Sequence, residues 1–486
     1  MPALLLRRAY IDGRLVDILV SDGLIRAVAP DLDPAEASEV VDLGGRQVVP
    51  GLSDEHVHFT NWALSRLTEP LNQALMAAPN AEGAADAVGR QASGAATGSW
   101  IRAKGFRQST WPAMPHKALL DRAAPGVAVA LTSQDGHSAW FSSTALAAVG
   151  LDHETGYLRE WEAWEAGGRV PAPSREATDR AVADAVDAAV RRGVTHIRDF
   201  GTHEDIEAWI GRSAGTPLPF RVTSGVAQRQ IDLAEDAGWT TGQPLDTHGR
   251  LEVGPLKLFS DGALGSRTAH CDHAYVGEPA NTGMPLLGFD ELKELLARAA
   301  RQGLATAVHA IGDRANRTVL DAYEAVGVTG RIEHAQLIAP DDRARFARLG
   351  ITASVQPGHA VDDQDLVERW WGDRMDTAYP LRSLARAGSQ LVFGSDAPVS
   401  PLDPWRAIAA AVHRTVDDRP PWLPDETVGL SEAITASCPG TLAEGERADL
   451  VVLDEDPAQL APVDLANIPV SATMVGGTWT LPPQWS

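Results

Sequence analysis

The chain has 486 residues, of which 44% are hydrophobic and 22% charged, and it carries a formal charge of −23. This length exceeds what one compact core usually holds, so we expect one large domain and a smaller one. The acidic balance argues against nucleic acid as a partner, because its phosphates would be repelled, and no run approaches the roughly 20 apolar residues that a membrane helix needs.

The first residues and the cysteines bear on the cellular compartment. A short leucine run at 4–6 precedes Arg7 and Arg8, which is the wrong order for a signal peptide. Cys271 and Cys438 lie far apart in the chain, which predicts neither a disulfide framework nor a thiolate metal cluster. We therefore expect a cytoplasmic protein.

The two ends of the chain share one pattern. Residues 1–50 are typical of short strands separated by turns, and residues 440–486 have the same texture. Short strands at both termini predict a small β-sandwich domain built from the two ends of the chain. The central domain then covers residues 51–439.

The middle of the chain changes rhythm, because strand-like apolar runs alternate with helix-like segments from Ser174 onward. So many consecutive units favour a closed (β/α)8 TIM-like barrel, an α/β fold, over an open sheet. The Trp- and Ala-rich segment 61–164 breaks the pattern and is interpreted as an insertion after the first barrel strand. The predicted helix and strand pairs are 174–193 with 194–200, 289–303 with 305–311, 314–327 with 331–338, 340–350 with 351–356 and 381–388 with 390–394, and further strands are predicted at 219–226 and 255–259.

Several apolar strands end in a polar residue that can bind a metal. His56 and His58 close the first barrel strand, and their i, i+2 spacing puts both imidazoles on one face of an extended chain. His309, His334 and Asp396 end three later strands. Each could singly be a hydrogen-bonded structural residue. Together they would leave several buried titratable groups without partners at one barrel mouth unless a metal is present.

Lys257 lies within another apolar strand, in a chain that has four lysines among its 42 basic residues. One interpretation is a structural lysine paired with an acid such as Asp261. The other is a lysine carboxylated by CO2, whose two anionic oxygens can bridge cations about 3.5–4 Å apart. Arginine cannot undergo this chemistry.

These residues resemble the amidohydrolase superfamily in their order along the barrel, and more narrowly its N-substituted formamide deformylase-like branch, amidohydrolase family 3. The resemblance covers residues from about 40 to 460. The motifs that carry it are PGLSDEHVH at 50–58, DGHSAW at 135–140, KLFSDGALGSRT at 257–268, HAIGDR at 309–314, RIEHAQ at 331–336, QPGH at 356–359, GSDAP at 394–398 and GERADL at 445–450.

The resemblance implies a binuclear metal centre. His56, His58 and Asp396 would hold one ion, His309 and His334 the second, and carboxylated Lys257 would bridge them. Zinc is the metal that we expect, although Mn, Fe and Co also suit such ligands. A metal-activated hydroxide would attack a carbonyl carbon, and Asp396 would pass the proton to the leaving nitrogen.

The substrate pocket is expected to include His137, Trp140 and His359. His137 and Trp140 belong to a signature inside the insertion, where a core tryptophan beside a satisfied histidine is the alternative interpretation. An apolar wall containing Trp111 and Trp140 would select the substrate. Glu160 is a weaker candidate for the same pocket.

Two departures from the branch stand out. Ser53 and Glu55 occupy positions that are more often apolar or small, so local packing could differ there. The segment 435–445 is shorter than the usual helix and loop at the junction to the terminal β-domain. Neither departure removes a predicted ligand.

The leading functional hypothesis is hydrolysis of a C–N bond in an amide, an N-substituted formamide or a cyclic imide. The alternatives are a carbamate or ester hydrolase at the same site and a non-catalytic metal-binding regulatory protein. The expected partner is a small-molecule substrate, with no nucleic acid and no membrane, and a homodimer is left open.

Overall fold

The computed structural model describes residues 3–201 and 203–485, apart from the side chains of 203–205. The described strands form three sheets: one from the two termini, one from the middle of the chain and one from the inserted segment. In chain order the strands are β1 (Leu4–Ile11), β2 (Arg14–Ser21), β3 (Leu24–Ala29), β4 (Glu39–Asp42), β5 (Gln47–Pro50), β6 (Leu52–Val57), β7 (Trp100–Phe106), β8 (Ala128–Ser133), β9 (Ser138–Phe141), β10 (Tyr157–Arg159), β11 (Val194–Asp199), β12 (Arg221–Ala227), β13 (Leu251–Phe259), β14 (Thr306–Ala310), β15 (Arg331–His334), β16 (Thr352–Val355), β17 (Leu391–Phe393), β18 (Leu450–Leu453), β19 (Val470–Val475) and β20 (Thr478–Leu481).

The central sheet is the predicted parallel barrel. Its strand order is β6, β11, β12, β13, β14, β15, β16, β17, with every neighbouring pair parallel. The segment after β17 returns to β6, where the Asp396 N–H donates to the His56 carbonyl at 2.7 Å and the His58 N–H donates to the Ala397 carbonyl at 2.9 Å. Gly394 permits this approach, because a Cβ there would lie 2.5 Å from the His56 nitrogen. The carboxyl ends of all eight strands therefore meet at one mouth.

Helices cover the outside of the barrel, where the sequence predicts them. Apolar side chains at helical spacing face the strands, and several helices end at a left-handed glycine such as Gly303 or Gly327. The α-helices are α1 (Phe59–Ser65), α2 (Glu69–Met76), α3 (Ala81–Gln91), α4 (Lys117–Ala123), α5 (Ser143–Ala148), α6 (Trp161–Gly168), α7 (Arg175–Val190), α8 (His203–Ser213), α9 (Ile231–Asp236), α10 (Phe289–Gln302), α11 (Asp313–Val326), α12 (Pro340–Leu349), α13 (Pro357–Asp362), α14 (Gln364–Trp370), α15 (Leu381–Arg386), α16 (Pro404–His413), α17 (Leu430–Ala436) and α18 (Pro462–Ala466). None of the described helices has the length and apolarity that a bilayer crossing needs.

The strands predicted at the two termini share one eight-stranded sheet. Its order is β20, β19, β18, β5, β1, β2, β3, with β4 paired to β1. The two ends of the chain meet where β5 pairs antiparallel with β18, Pro50 lying opposite Leu450. This sheet packs on the barrel near Gly193, where a Cβ would lie 2.9 Å from a methyl of Val451. The domain bounds at 50/51 and 439/440 stay a prediction.

We call residues 61–164 the inserted layer. It contains the sheet β7 to β10 and the helices around it, packed on a core that includes Phe106, Trp111 and Trp140. The inserted layer contacts the barrel mouth, where the Trp164 ring lies 5.5 Å from the Phe259 ring. It therefore stands beside the side chains that end the barrel strands.

Candidate metal centre

The barrel mouth brings the six predicted ligand residues into one region. The ligand atoms of His56, His334 and Asp396 all lie within 4.8 Å of one another, and these three residues are buried. The rings of His309 and His334 are 4.5 Å apart, and those of His56 and His58 are 5.6 Å apart. The closing segment after β17 puts Asp396 against β6, so its Oδ1 lies 3.2 Å from His58 Nε2.

Each of the four strand-end histidines has one ring nitrogen committed to an oxygen acceptor. The pairs are His56 Nδ1 with Glu333 Oε2 at 2.6 Å, His58 Nδ1 with the Phe200 carbonyl at 2.7 Å, His309 Nε2 with the Gly262 carbonyl at 3.1 Å and His334 Nδ1 with Gln356 Oε1 at 2.8 Å. Because an oxygen acceptor requires a proton on that nitrogen, a neutral ring keeps a lone pair on the other one. Such an arrangement fixes the tautomer and the ring orientation of metal-binding histidines.

The ionisation of the buried ligands fits the same role. Burial lowers the pKa of His56 to about 4 and holds the pKa values of His309 and His334 well below the ordinary 6.5. These rings are therefore neutral near pH 7, the form that binds a metal. Burial opposes ionisation of Asp396, but the histidines around it hold the pKa of that carboxyl well below its usual range.

Lys257 forms no ion pair with an acid in the part of the chain that the structure describes. Its Nζ is buried and makes no hydrogen bond with the residues that the structure describes, and it lies 4.1 Å from the centre of the Phe259 ring. Asp261, the acid considered for it, accepts backbone N–H groups from His270, Ile311 and Gly312 instead. Asp261 therefore does not pair with Lys257, whose amine lies near the ligand histidines, and the carboxylation of Lys257 stays a prediction.

A buried charge network behind the histidines was not predicted from the sequence. Glu333 accepts from His56 and also from Arg331 Nε at 2.6 Å. Arg331 donates onward to Glu55 Oε2 at 2.9 Å, which also pairs with Arg198 at 3.0 Å. Although burial opposes it, Arg331 and His56 lower the pKa of Glu333 to about 2. The acidic Glu55, which departs from the branch pattern, is thus explained as the counter-ion of the buried Arg331 and the half-buried Arg198.

His137 and Glu160 form a buried ion pair on the inserted layer. His137 Nδ1 donates to Glu160 Oε2 at 2.7 Å, and Ser266 and Thr268 donate to the other Glu160 oxygen. Burial disfavours the imidazolium, but Glu160 raises the pKa of His137 to about 9. The His137 ring is 5.4 Å from that of His309, so a cation borders the metal-binding rings.

His359 differs from the ligand histidines because its fixed ring nitrogen accepts a hydrogen bond instead of donating one. Gln336 Nε2 donates to His359 Nδ1 at 3.3 Å, which leaves the proton of a neutral ring on Nε2. That Nε2 is buried without a hydrogen-bond partner among the described residues and lies 3.9 Å from Asp396 Oδ2. His359 is therefore arranged to donate a hydrogen bond beside the ligands.

The placement of Trp140 corrects its assignment to the substrate pocket. Trp140 is completely buried, and its ring packs edge-on at 6.1 Å against both Phe106 and Trp111. Trp111 is buried too and donates its indole N–H to the Ala78 carbonyl. Both indoles support the core of the inserted layer, because β9 turns Trp140 inward, and neither lines the cavity described below.

A cavity of about 700 Å³ lies between the inserted layer and the barrel mouth. The barrel side supplies His309, His334, Gln336, His359 and Asp396, and the inserted layer supplies Lys104, Gln108, Asp135 and His137. This size suits a small-molecule ligand. The predicted pocket residues His137 and His359 both line it, and their substrate-binding role stays a prediction.

Known proteins resemble the chain along almost its whole length. Residues 39–480 match a family model described as "Amidohydrolase family". The chain is 30% identical to the protein LONG AFTER FAR-RED 3 of Arabidopsis thaliana, over 91% of this chain and 83% of that one. It is 26% identical to the N-substituted formamide deformylase of Arthrobacter pascens, over 95% and 94% of the two chains. An uncharacterized metal-dependent hydrolase from Pyrococcus horikoshii OT3 superposes with a TM-score of 0.78 at 25% identity, over 95% of this chain and 99% of that one.

Proposed function

The chain belongs to the amidohydrolase family and is a hydrolytic enzyme acting on carbon–nitrogen bonds, and on that premise we propose that its substrates are amides, N-substituted formamides or cyclic imides. The observation that carries the proposal is that each of the four strand-end histidines has one ring nitrogen fixed to an oxygen acceptor, Nε2 in His309 and Nδ1 in the other three. Each donates a hydrogen bond from that nitrogen to a fixed oxygen, so the other ring nitrogen keeps a lone pair for a cation at the mouth where Asp396 and Lys257 lie.

The donor set fits two divalent cations. His56 Nε2 and Lys257 Nζ are buried without hydrogen-bond partners among the described residues, an arrangement that costs free energy unless a ligand satisfies it. We assign His56, His58 and Asp396 to one ion, His309 and His334 to the other, and Lys257, carboxylated on its amine, to both. Zinc is the metal proposed. When bound, the cations supply Lewis acidity that lowers the pKa of water and polarises a carbonyl oxygen.

The chain's own groups then handle the proton and the substrate. Asp396 takes the proton released when water adds to the carbonyl carbon and gives it to the leaving nitrogen, so that an amide yields a carboxylic acid and an amine, and a cyclic imide opens to a carboxylic acid and an amide. The lowered pKa of Asp396 means that the carboxyl is ionised near pH 7, which is the form that can accept a proton. His359 Nε2 donates to a substrate oxygen, and Gln336 fixes its tautomer.

Metal analysis and a substrate panel test the proposal. We expect two metals per chain by elemental analysis of protein grown with zinc, and a mass increase of one CO2 on Lys257. The metal-loaded enzyme should hydrolyse N-formyl or N-acyl amides or cyclic imides faster than matched esters and carbamates. One tightly held metal with an unmodified Lys257 would contradict the bridging group. Faster turnover of the esters or carbamates would contradict the choice of bond.

A further inference from the structure

Lys104 is a cation in the cavity wall that the proposed reaction does not use. It lies on β7 in the inserted layer, where Ile101 and Ala103 face the apolar core and Lys104 lines the cavity. On the cavity's other side lies Asp396. A side chain in this position meets the part of a substrate that projects away from the metal-binding groups.

The ammonium of Lys104 forms no ion pair with an acid among the described residues, although Asp396 and Asp135 act on it from a longer distance. Within residues 3–201 and 203–485, its Nζ makes no hydrogen bond and no ion pair. Two other cations of the same cavity have acid partners: Arg406 pairs with Asp362 at 2.7 Å, and His137 pairs with Glu160. Arg66 lies over the Trp62 ring at 5.1 Å. Lys104 is thus a charge without a partner, directed into space that a ligand would fill.

Asp135 is the carboxylate that could have paired with Lys104, but contacts with other residues fix its position. Its Oδ1 accepts from Ser133 Oγ at 2.5 Å and from the His137 N–H at 3.1 Å. Its Oδ2 lies against Gly265, where a Cβ would clash with it. Burial lowers the pKa of Lys104 to about 8, although Asp396 and Asp135 oppose the shift. A partly buried cation of this kind is stabilised when an anionic ligand pairs with it.

We propose that Lys104 binds a carboxylate of the substrate, so that the preferred amides carry a carboxylate away from the scissile C–N bond. The proposal rests on the proposed function for the bond that is broken. Lys104 is then a specificity-determining residue, whereas the proton transfer belongs to Asp396. The chain carries a net charge of −23, so an anionic substrate is repelled by the protein as a whole and needs a local cation such as Lys104 in order to bind.

Matched pairs of substrates test the proposal on the metal-loaded enzyme. The probes are the N-formyl derivatives of glycine, β-alanine and 4-aminobutyrate, each beside its carboxamide, so that three lengths span the cavity. At least one carboxylate should exceed its carboxamide in kcat/KM by about tenfold or more, the range of one charge-assisted hydrogen bond. The ratio should fall to about one in Lys104→Met and Lys104→Gln, and below one in Lys104→Glu. Lys293→Met, on outer helix α10, is the control and should keep the wild-type ratio.

Calorimetric binding of the same six compounds separates the two proposals. Carboxylates that bind without being hydrolysed, and lose binding in Lys104→Met, would support the role of Lys104 while contradicting the proposed reaction. Hydrolysis of carboxamides as fast as carboxylates would overturn the role of Lys104 and leave the reaction standing. A carboxylate preference that survives in Lys104→Gln would also overturn it. If no carboxylate is either bound or hydrolysed, the proposed role of Lys104 is overturned as well.

Discussion

Two histidines on opposite sides of one cavity differ in charge, one being neutral and the other a cation. His309 belongs to the barrel and His137 to the inserted layer, and their rings are 5.4 Å apart. Both are buried, yet the pKa of His309 lies well below 6.5 and that of His137 is about 9. His309 donates to a neutral carbonyl, whereas His137 donates to the carboxylate of Glu160. The partner, and not the burial, decides which ring is a cation.

The same contrast separates the two regions as a whole. The barrel strands end in neutral imidazole rings and one carboxylate, which are groups that bind a cation. The inserted layer presents an imidazolium and the ammonium of Lys104 beside the carboxylate of Asp135, and the two cations suit an anion or a carbonyl group. The barrel would therefore hold the metals, and the inserted layer would hold the rest of the substrate.

The largest expected effect comes from the carboxylate on the barrel side. Asp396→Asn should keep most of the metal and lower kcat by about 10²–10⁴-fold, because an amide cannot accept the proton. Asp342→Asn is the matched control, since Asp342 is also buried but pairs with Arg317 on the outer helices. The measurements are steady-state kinetics and elemental analysis. Near wild-type turnover of Asp396→Asn would move proton transfer to another group.

Substitution of Trp140 in the core of the inserted layer should lower the stability of the protein and leave its metal content unchanged. Trp140→Ala removes a completely buried indole and should lower the free energy of unfolding by about 3–5 kcal/mol. Trp161→Ala, at a side chain that is 53% exposed, is the control and should change it little. Denaturant unfolding measures both variants. An unchanged stability with altered relative rates among substrates would return Trp140 to the pocket.

A smaller effect, on metal affinity, is expected from Glu333, which lies behind the ligand histidines. Glu333→Gln weakens the acceptor that orients His56 and should reduce metal affinity about 10–100-fold. Glu252→Gln is the control, because Glu252 accepts from Thr223 in the same barrel but contacts no ligand histidine. Competition with a chelator measures the affinity. Equal losses in both variants would mean that the barrel interior, and not the His56 contact, is responsible.

Whether a site residue can be predicted from the sequence depends on how far apart in the chain the residues that form its contacts lie. His309 and His334 could be predicted because a polar residue at the end of an apolar strand is a local signal. The contact of His56 with Glu333 spans 277 residues and depends on barrel closure, so no local pattern contains it. Trp140 was misplaced because β9 is buried at all four positions, which hides the alternation that separates core from cavity. Glu160 could be only a weak candidate, since its contact with His137 depends on a turn in which Glu160 adopts φ +51°.

The smallest expected effect isolates the charge of His137. Glu160→Gln removes the carboxylate, so the pKa of His137 should fall from about 9 toward the ordinary 6.5. A histidine whose pKa is raised by folding contributes stability that is fully present below pH 6.5 and is lost as the pH rises through about 9. Wild-type protein should therefore lose this contribution between those two values, and Glu160→Gln should not. NMR titration of the His137 ring and denaturant midpoints across that range measure it, with Glu162→Gln as the control, because Glu162 meets His153 at 3.8 Å on the surface. If the His137 pKa stays near 9 in Glu160→Gln, the cationic character of the inserted layer has another source.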